Sequence, residues 1–293
     1  MLRSYAKGRR MLKNTFCHMP GVSLSRERRL WDAGIRSWDA LRQARLPRGL
    51  AGSLPSHIQD SLNSLESGSP DYFAERLQTN QHWRLFPDFR ASIAYLDIET
   101  TGLGYGACIT TIAVYDGKSI YHYVKNVNLS DFAKDIKRYS LIVTYNGKCF
   151  DVPFIENQFG IKMRQAHIDL RYVLKSLGYT GGLKGCEKSF GIDRDQLAGV
   201  DGYFAVLLWN DFVKNKNPRA LETLLAYNVQ DVVNLETLLV LAYNLKLKET
   251  PFHDTLRLSL PPPPPLPFQA DPKTINRIRM ENQWQSGGFA RWH

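Results

Sequence analysis

Residues 94–104 read AYLDIETTGLG, an apolar-leaning run that meets two carboxylates one residue apart, Asp97 and Glu99. Side chains alternate along a strand, so the two acids point to the same face. Like charges on one face cost stability unless something cationic lies between them. Two readings are open for this pair. It holds a metal, or it is a pair of structural acids at a strand end, meeting a helix N-terminus or an arginine.

A second acid follows in LIVTYNGKCFDVPFI, residues 141–155. Asp151 comes after a buried strand and a glycine-containing turn and opens an apolar helical stretch, which places it at the rim of a sheet. Ligands of open α/β sheets bind at such rims. Asp151 can equally be a helix N-cap, with Pro153 just inside the helix. The third piece is LLAYNVQDVVNLETLL, residues 224–239. Its apolar stripe runs through Leu221, Leu224, Leu225, Val232, Leu235 and Leu239. Tyr227 and Asp231 are four apart, hence neighbours on one face, at the border between stripe and surface. Alone, Asp231 reads as part of a solvated helix face.

The rest of the pattern is α/β. Strands are expected over 92–98, 108–116, 119–125 and 141–146, and a further one ends in HIDL at Asp169. A helix is expected over 129–139. The longest helix starts at the N-cap Asn217 with Pro218 at its first position and runs to about Lys246. Before residue 85 the texture is helical, with short amphipathic pieces at 25–34, 37–44, 56–67 and 70–80, and RLFPDFR (84–90) breaks the helical period. The tail carries PPPPPLP (261–267), a polyproline II spacer, followed by a stretch that can form a short docking helix or none. Expected domains are therefore 1–85, a basic helical region; 86–248, an α/β domain; and 249–293, a Pro-rich tail, partly disordered.

Together, D-x-E, N-x-x-x-x-D and Y-x-x-x-D resemble the three motifs of the DEDD exonucleases of the tyrosine subtype, within the ribonuclease H-like superfamily. WRLFPDFR, LDIETTGL, TYNGKCFDVPFI, HIDLR and YNVQDVVNL are similar, more closely still, to the YprB-type ribonuclease H-like domain, over about residues 83–246. The resemblance implies a ribonuclease H-like mixed sheet flanked by helices, preceded by a small all-α region. It implies a metal-dependent 3′→5′ exonuclease acting on single-stranded DNA or RNA ends, DNA ahead of RNA. Asp97, Glu99, Asp151 and Asp231 would be the metal ligands for two Mg²⁺ or Mn²⁺ ions. In that scheme Asp97 bridges both ions, Glu99 and Asp231 complete one site, and Asp151 supports the other, directly or through water. Tyr227 would orient the attacking water, since a phenol with a pKa near 10 is a poor base at neutral pH. Asn146 and Lys148 lie within the second motif, where Lys148 can steady a phosphate or be a surface lysine in a turn. Asp169 can stand behind the ligands, and His167 reads as structural.

Composition limits the alternatives. The chain has 293 residues and a net charge of +10, of which residues 1–50 alone supply +9. Such a block suits a polyanion or a solvated basic face. Within it, FCHMPGVSLSRERRLWDAGIRSWDALRQA has the look of a helix-hairpin-helix element, whose turn grips a phosphate through backbone N–H groups. Gly21, Arg26, Arg28 and Arg29 are its candidate contacts, although Ser23 stands where a second glycine is usual. A helical hairpin packed on the α/β domain is the competing reading. No apolar run reaches the ~18–20 residues of a membrane span, and the four scattered cysteines fit reduced thiols in a cytoplasmic protein. An acid-free N-terminus is shared with mitochondrial presequences but is poor in serine. Two further functions stay in view: a catalytically silent nucleic-acid-binding module on the same fold, and an endonuclease or RNA-processing nuclease. An adaptor working through the tail leaves the acids unexplained, and an enzyme is the expectation.

Overall fold

In the computed structural model, residues 10–44 and 54–288 are described. The first nine residues of the acid-free stretch, and Arg45 and Arg48 of the basic block, lie outside them. The N-terminal region is helical as expected: α1 (Leu24–Asp32), α2 (Trp38–Gln43), α3 (Leu54–Glu66) and the single turn α4 (Asp71–Ala74). Ser23 caps α1 by accepting from Arg26 N, and Ser37 caps α2 by accepting from Ala40 N. The anticipated break at 84–90 is a change of pitch rather than a loss of helix. A 3₁₀ run at Thr79–Leu85 passes into α5 (Phe86–Phe89), with Pro87 in its first turn. A second short 3₁₀ piece, Arg90–Ser92, then feeds the first strand.

Five strands form at the expected places, with several ends shifted by one or two residues: β1 (Ile93–Thr100), β2 (Ile109–Tyr115), β3 (Ile120–Val124), β4 (Leu141–Thr144) and β5 (Ala166–Asp169). Their spatial order is β3-β2-β1-β4-β5. The β1–β2 and β2–β3 pairs are antiparallel, whereas β1–β4 and β4–β5 are parallel, so the sheet is mixed. Pairing of β1 with β4 stops at Tyr95↔Val143, while pairing with β2 continues through Asp97↔Ala113 and Glu99↔Thr111. The acidic end of β1 thus projects past β4 and leaves one flank open.

Alternation along β1 divides the core. Ala94, Leu96 and Ile98 face Phe132 of α6 (Phe132–Asp135) and Ile155 of α7 (Asp151–Phe159). Tyr95 faces the other way, into a core shared with Phe16, Trp31, Trp38 and Phe73 of the N-terminal region. That region is therefore built into the α/β unit: one continuous core runs from Met11 to Leu256. Under the same face lie α8 (Leu170–Lys175) and α9 (Gly182–Ser189), then α10 (Gly202–Asn215) and the long α11 (Pro218–Leu247). Asn217 caps α11 by accepting from Arg219 N, with Pro218 at the start, as the sequence predicts. By length and composition α11 could cross a membrane, but its most apolar window is 83% buried against β1, β2 and α10, as befits a core helix.

The tail is placed as well. After α12 (His253–Leu256) the chain is extended until α13 (Pro272–Gly288). Pro261 and Pro264, three apart, are half-buried, whereas Pro262, Pro263, Pro265 and Pro267 are exposed. That is the period of a polyproline II helix lying with one edge on the protein. Ile275 and Ile278 of α13 are buried among α10 and α11 residues, and Arg279 donates to the Ala198 carbonyl at 2.6 Å.

Candidate metal centre

Each acid reaches the site for a local reason. Asp97 and Glu99 share the Tyr95 face of β1, so both look toward α11. Asp231, just before the middle of α11, meets them there. One carboxylate oxygen from each of Asp97, Glu99 and Asp231 lies within 4.8 Å of the others. Asn228 ties the elements together: its Nδ2 donates to Asp97 Oδ2 at 2.7 Å, and its Oδ1 accepts from Thr111 Oγ1 at 3.0 Å.

Asp151 is not the N-cap of α7. That position is Phe150, and its side chain makes no capping bond. The Asp151 carboxylate instead crosses to β1 and accepts from Ile98 N, between the two β1 acids, at 3.2 Å. The turn before it is held from below by Asp169, fully buried at the end of β5. Asp169 accepts from Asn146 N (2.8 Å), Lys148 N (3.1 Å) and Arg171 N (3.1 Å). Gly147 is required in this turn, because a Cβ there would lie 2.3 Å from Thr144 Oγ1. His167 bonds Thr144 Oγ1 at 2.8 Å and burial pushes its pKa down to about 3, a neutral structural imidazole.

Tyr227 and Asp231 are 4% exposed, not at a core–surface border. A helical wheel registers one packed face, whereas α11 is covered on several sides. The Lys184 ammonium lies 4.6 Å from the centre of the Tyr227 ring and the Arg194 guanidinium 5.6 Å. Arg194 also pairs with Asp231 through Nη1. Burial, and then the neighbouring Asp231 and Asp151, hold the Asp97 and Glu99 carboxyls well above their usual range. Burial brings Asp151 up to about 7. The Asp231 carboxyl is raised by burial too, with Arg194 opposing, and burial raises the Tyr227 phenol.

Four carboxylates packed together repel one another unless a cation lies between them. All donors are carboxylate oxygens, the hard ligands that Mg²⁺ and Mn²⁺ prefer, so the residues fit such an ion. They open on a cleft of about 600 Å³, which Asn146 and Phe150 line on one side and Leu103, Leu183, Tyr203 and Val206 on others. Leu103 and Tyr203 present their side chains largely to solvent, at 83% and 61% exposure.

The basic hairpin is not part of this cluster. Gly21 has the positive φ of a turn glycine, +75°, but Arg26 folds back onto its carbonyl and Ser23 already satisfies the Arg26 N–H. Arg28 lies 3.8 Å from Glu249, and α1 borders Lys246 at the far end of α11. From Asp231 to Lys246 is about 22 Å of helix. Arg28 and Arg29 are exposed. Lys184, Glu187, Arg194 and Asn228 are the residues sequence reading missed. Asn228 sits inside YNVQD and was reachable through its i+3 spacing from Asp231. The others come from α9 and the loop after it, which carry no periodic signal.

Residues 94–243 match the RNase_H superfamily. The protein "Uncharacterized protein YprB" of Bacillus subtilis (strain 168) is 30% identical over 173 residues, 51% of this chain and 41% of that one. The chain thus spans less than half the length of this relative. Among solved structures, the family B DNA polymerase of the hyperthermophilic archaeon Pyrobaculum calidifontis is 18% identical, with a TM-score of 0.39, over 57% of this chain and 27% of the polymerase. The five-stranded mixed sheet, its flanking helices and the match across 94–243 place the chain in one family: it belongs to the RNase_H superfamily.

Proposed function

We propose that the protein is a metal-dependent nuclease, a 3′→5′ exonuclease of single-stranded ends, with DNA the first substrate class to test and RNA the second. The observation that carries this reading is the meeting of Asp97, Glu99 and Asp231 within 4.8 Å, with Asp151 bonded between the first two. Asp97, Glu99, Asp151 and Asp231 would hold two divalent ions, which would supply an acidified water and charge neutralisation at the leaving oxygen.

The chain's own groups do the rest. Tyr227, kept protonated by burial, can donate a hydrogen bond and orient a water but not remove its proton. Lys184 lies beside its ring and donates to the Val200 carbonyl, a cation held close to the acids. Asn146 and the clamped turn hold one wall of the cleft, and the exposed Leu103 and Tyr203 offer apolar surface to bases.

The test is a time course on 5′-labelled and 3′-labelled single strands, DNA and RNA, with Mg²⁺, Mn²⁺ or EDTA. A 5′-labelled ladder shortening from the 3′ end, lost in EDTA and in Asp97→Ala, is the expected result. Absence of cleavage by the wild type in every metal, with strand binding intact, would leave a binding module in its place.

A further inference from the structure

Asp231 is held unlike the other acids. Asp97 rests on the Asn228 amide and Asp151 on a backbone N–H, whereas Asp231 meets a guanidinium. Arg194 is itself fixed from behind. Its Nε and Nη2 donate to Glu187 Oε2 and Oε1 at 2.6 and 2.7 Å. Asn234 Nδ2 donates to Glu187 Oε1 at 2.8 Å. The Arg194 and Glu187 side chains are 7% and 2% exposed. A closed circuit results, from α11 at Asn234 to α9 at Glu187, across Arg194, and back to α11 at Asp231 three residues before it started.

A planar guanidinium gripped at two nitrogens has its plane set. The remaining Nη1 is thereby aimed at Asp231 Oδ1, with which it is paired. Glu187 offsets part of the charge that Arg194 brings to Asp231. Being buried and doubly bonded, Arg194 has no easy route out of the way. We infer that Arg194, held by Glu187 and Asn234, is a positioning residue that aims Asp231 at Asp97 and Glu99 and thereby sets the site's affinity for a divalent cation. This inference rests on reading the acids as a cation site.

The experiment is a titration of the full-length chain with Mn²⁺ alone, reading free ion by electron paramagnetic resonance, with circular dichroism as the check on folding. Arg194→Met should bind Mn²⁺ about tenfold more weakly or worse, the usual scale for losing a group that orients a metal ligand. Arg194→Lys keeps the charge but not the fork and should fall between that variant and the wild type. It also serves if the Met variant fails to fold. Glu187→Gln, which does not touch Asp231, should weaken binding as well. Wild-type affinity, or tighter binding, in folded Arg194→Lys or Arg194→Met would overturn the inference and make Arg194 a competitor for the ion's place. A wild type that binds no Mn²⁺ would instead remove the cation-site reading on which it rests.

Discussion

Glu27 in the N-terminal layer and Glu99 at the end of β1 are both buried glutamates. Glu27 has a complete set of partners: Arg84 Nη1 and Nη2 at 3.0 and 2.8 Å, and the backbone N–H groups of Phe16 and Cys17 at 2.6 and 3.0 Å. Glu99 has other acids for neighbours, and its carboxyl is pushed upward by burial and by Asp231 and Asp151. Among the described residues no ion pair reaches it. The contrast separates two uses of buried charge. A fully matched carboxylate fastens one layer of the protein to another. A cluster of acids in which, among the described residues, only Asp231 has an ion-pair partner, Arg194, gives up stability to hold a place for a cation.

The largest effect that tests this contrast is on the matched side. Glu27→Ala would leave Arg84 buried without its counter-ion, and should cost about 3–5 kcal/mol in chemical denaturation. A loss under about 1 kcal/mol would show that the pair is not what fastens α1. On the unmatched side, Mn²⁺ at a hundred times its Kd should stabilise the wild type by about 2.7 kcal/mol. The shift in thermal midpoint should vanish in Asp231→Asn.

Next comes pH. The acids of the site have folded pKa values above their unfolded ones, with Asp151 near 7, so the folded state binds more protons. Their cost is absent below the unfolded carboxylate pKa, grows as pH rises, and is fully present above the folded value. Buried His18 and His167, each lowered to about 3, act oppositely and weaken the fold below about pH 6.5. In EDTA, the site acids should therefore lower stability progressively as pH rises from the unfolded carboxylate range to about 7 and beyond, with the two histidines offsetting part of that loss below about pH 6.5. A flat or rising alkaline limb would remove the contrast. The smallest effect is Asp97→Asn, which keeps an acceptor for Asn228. It should raise metal-free stability at pH 8 by about 1 kcal/mol while abolishing cleavage.

What could be read in advance follows the range of the physics. Alternation set the common face of Asp97 and Glu99, and Asn217 with Pro218 marked the start of α11, because those signals are local. The depth of Tyr227 and Asp231 was out of reach, since their cover comes from α10 and the sheet, remote in the chain. Arg194 was invisible for the same reason: its partners Glu187 and Asp231 are joined only by folding. In the basic block the charges drew the eye to Arg26, Arg28 and Arg29. The residues that lock this layer in place are Glu27 and Trp31, the buried i, i+4 pair on the opposite side of the same helix.

The proline stretch before α13 is also a ruler with discrete marks. A polyproline II helix advances about 3.1 Å and turns a third of a revolution per residue. Deleting one proline would therefore pull α13 back by about 3 Å and swing Phe268, now edge-on to His122, a third of a turn off its seat. Removing three would restore the orientation at the cost of about 9 Å of reach. Segment length here is coupled to phase, so a drift of single residues is mechanically different from a change in threes.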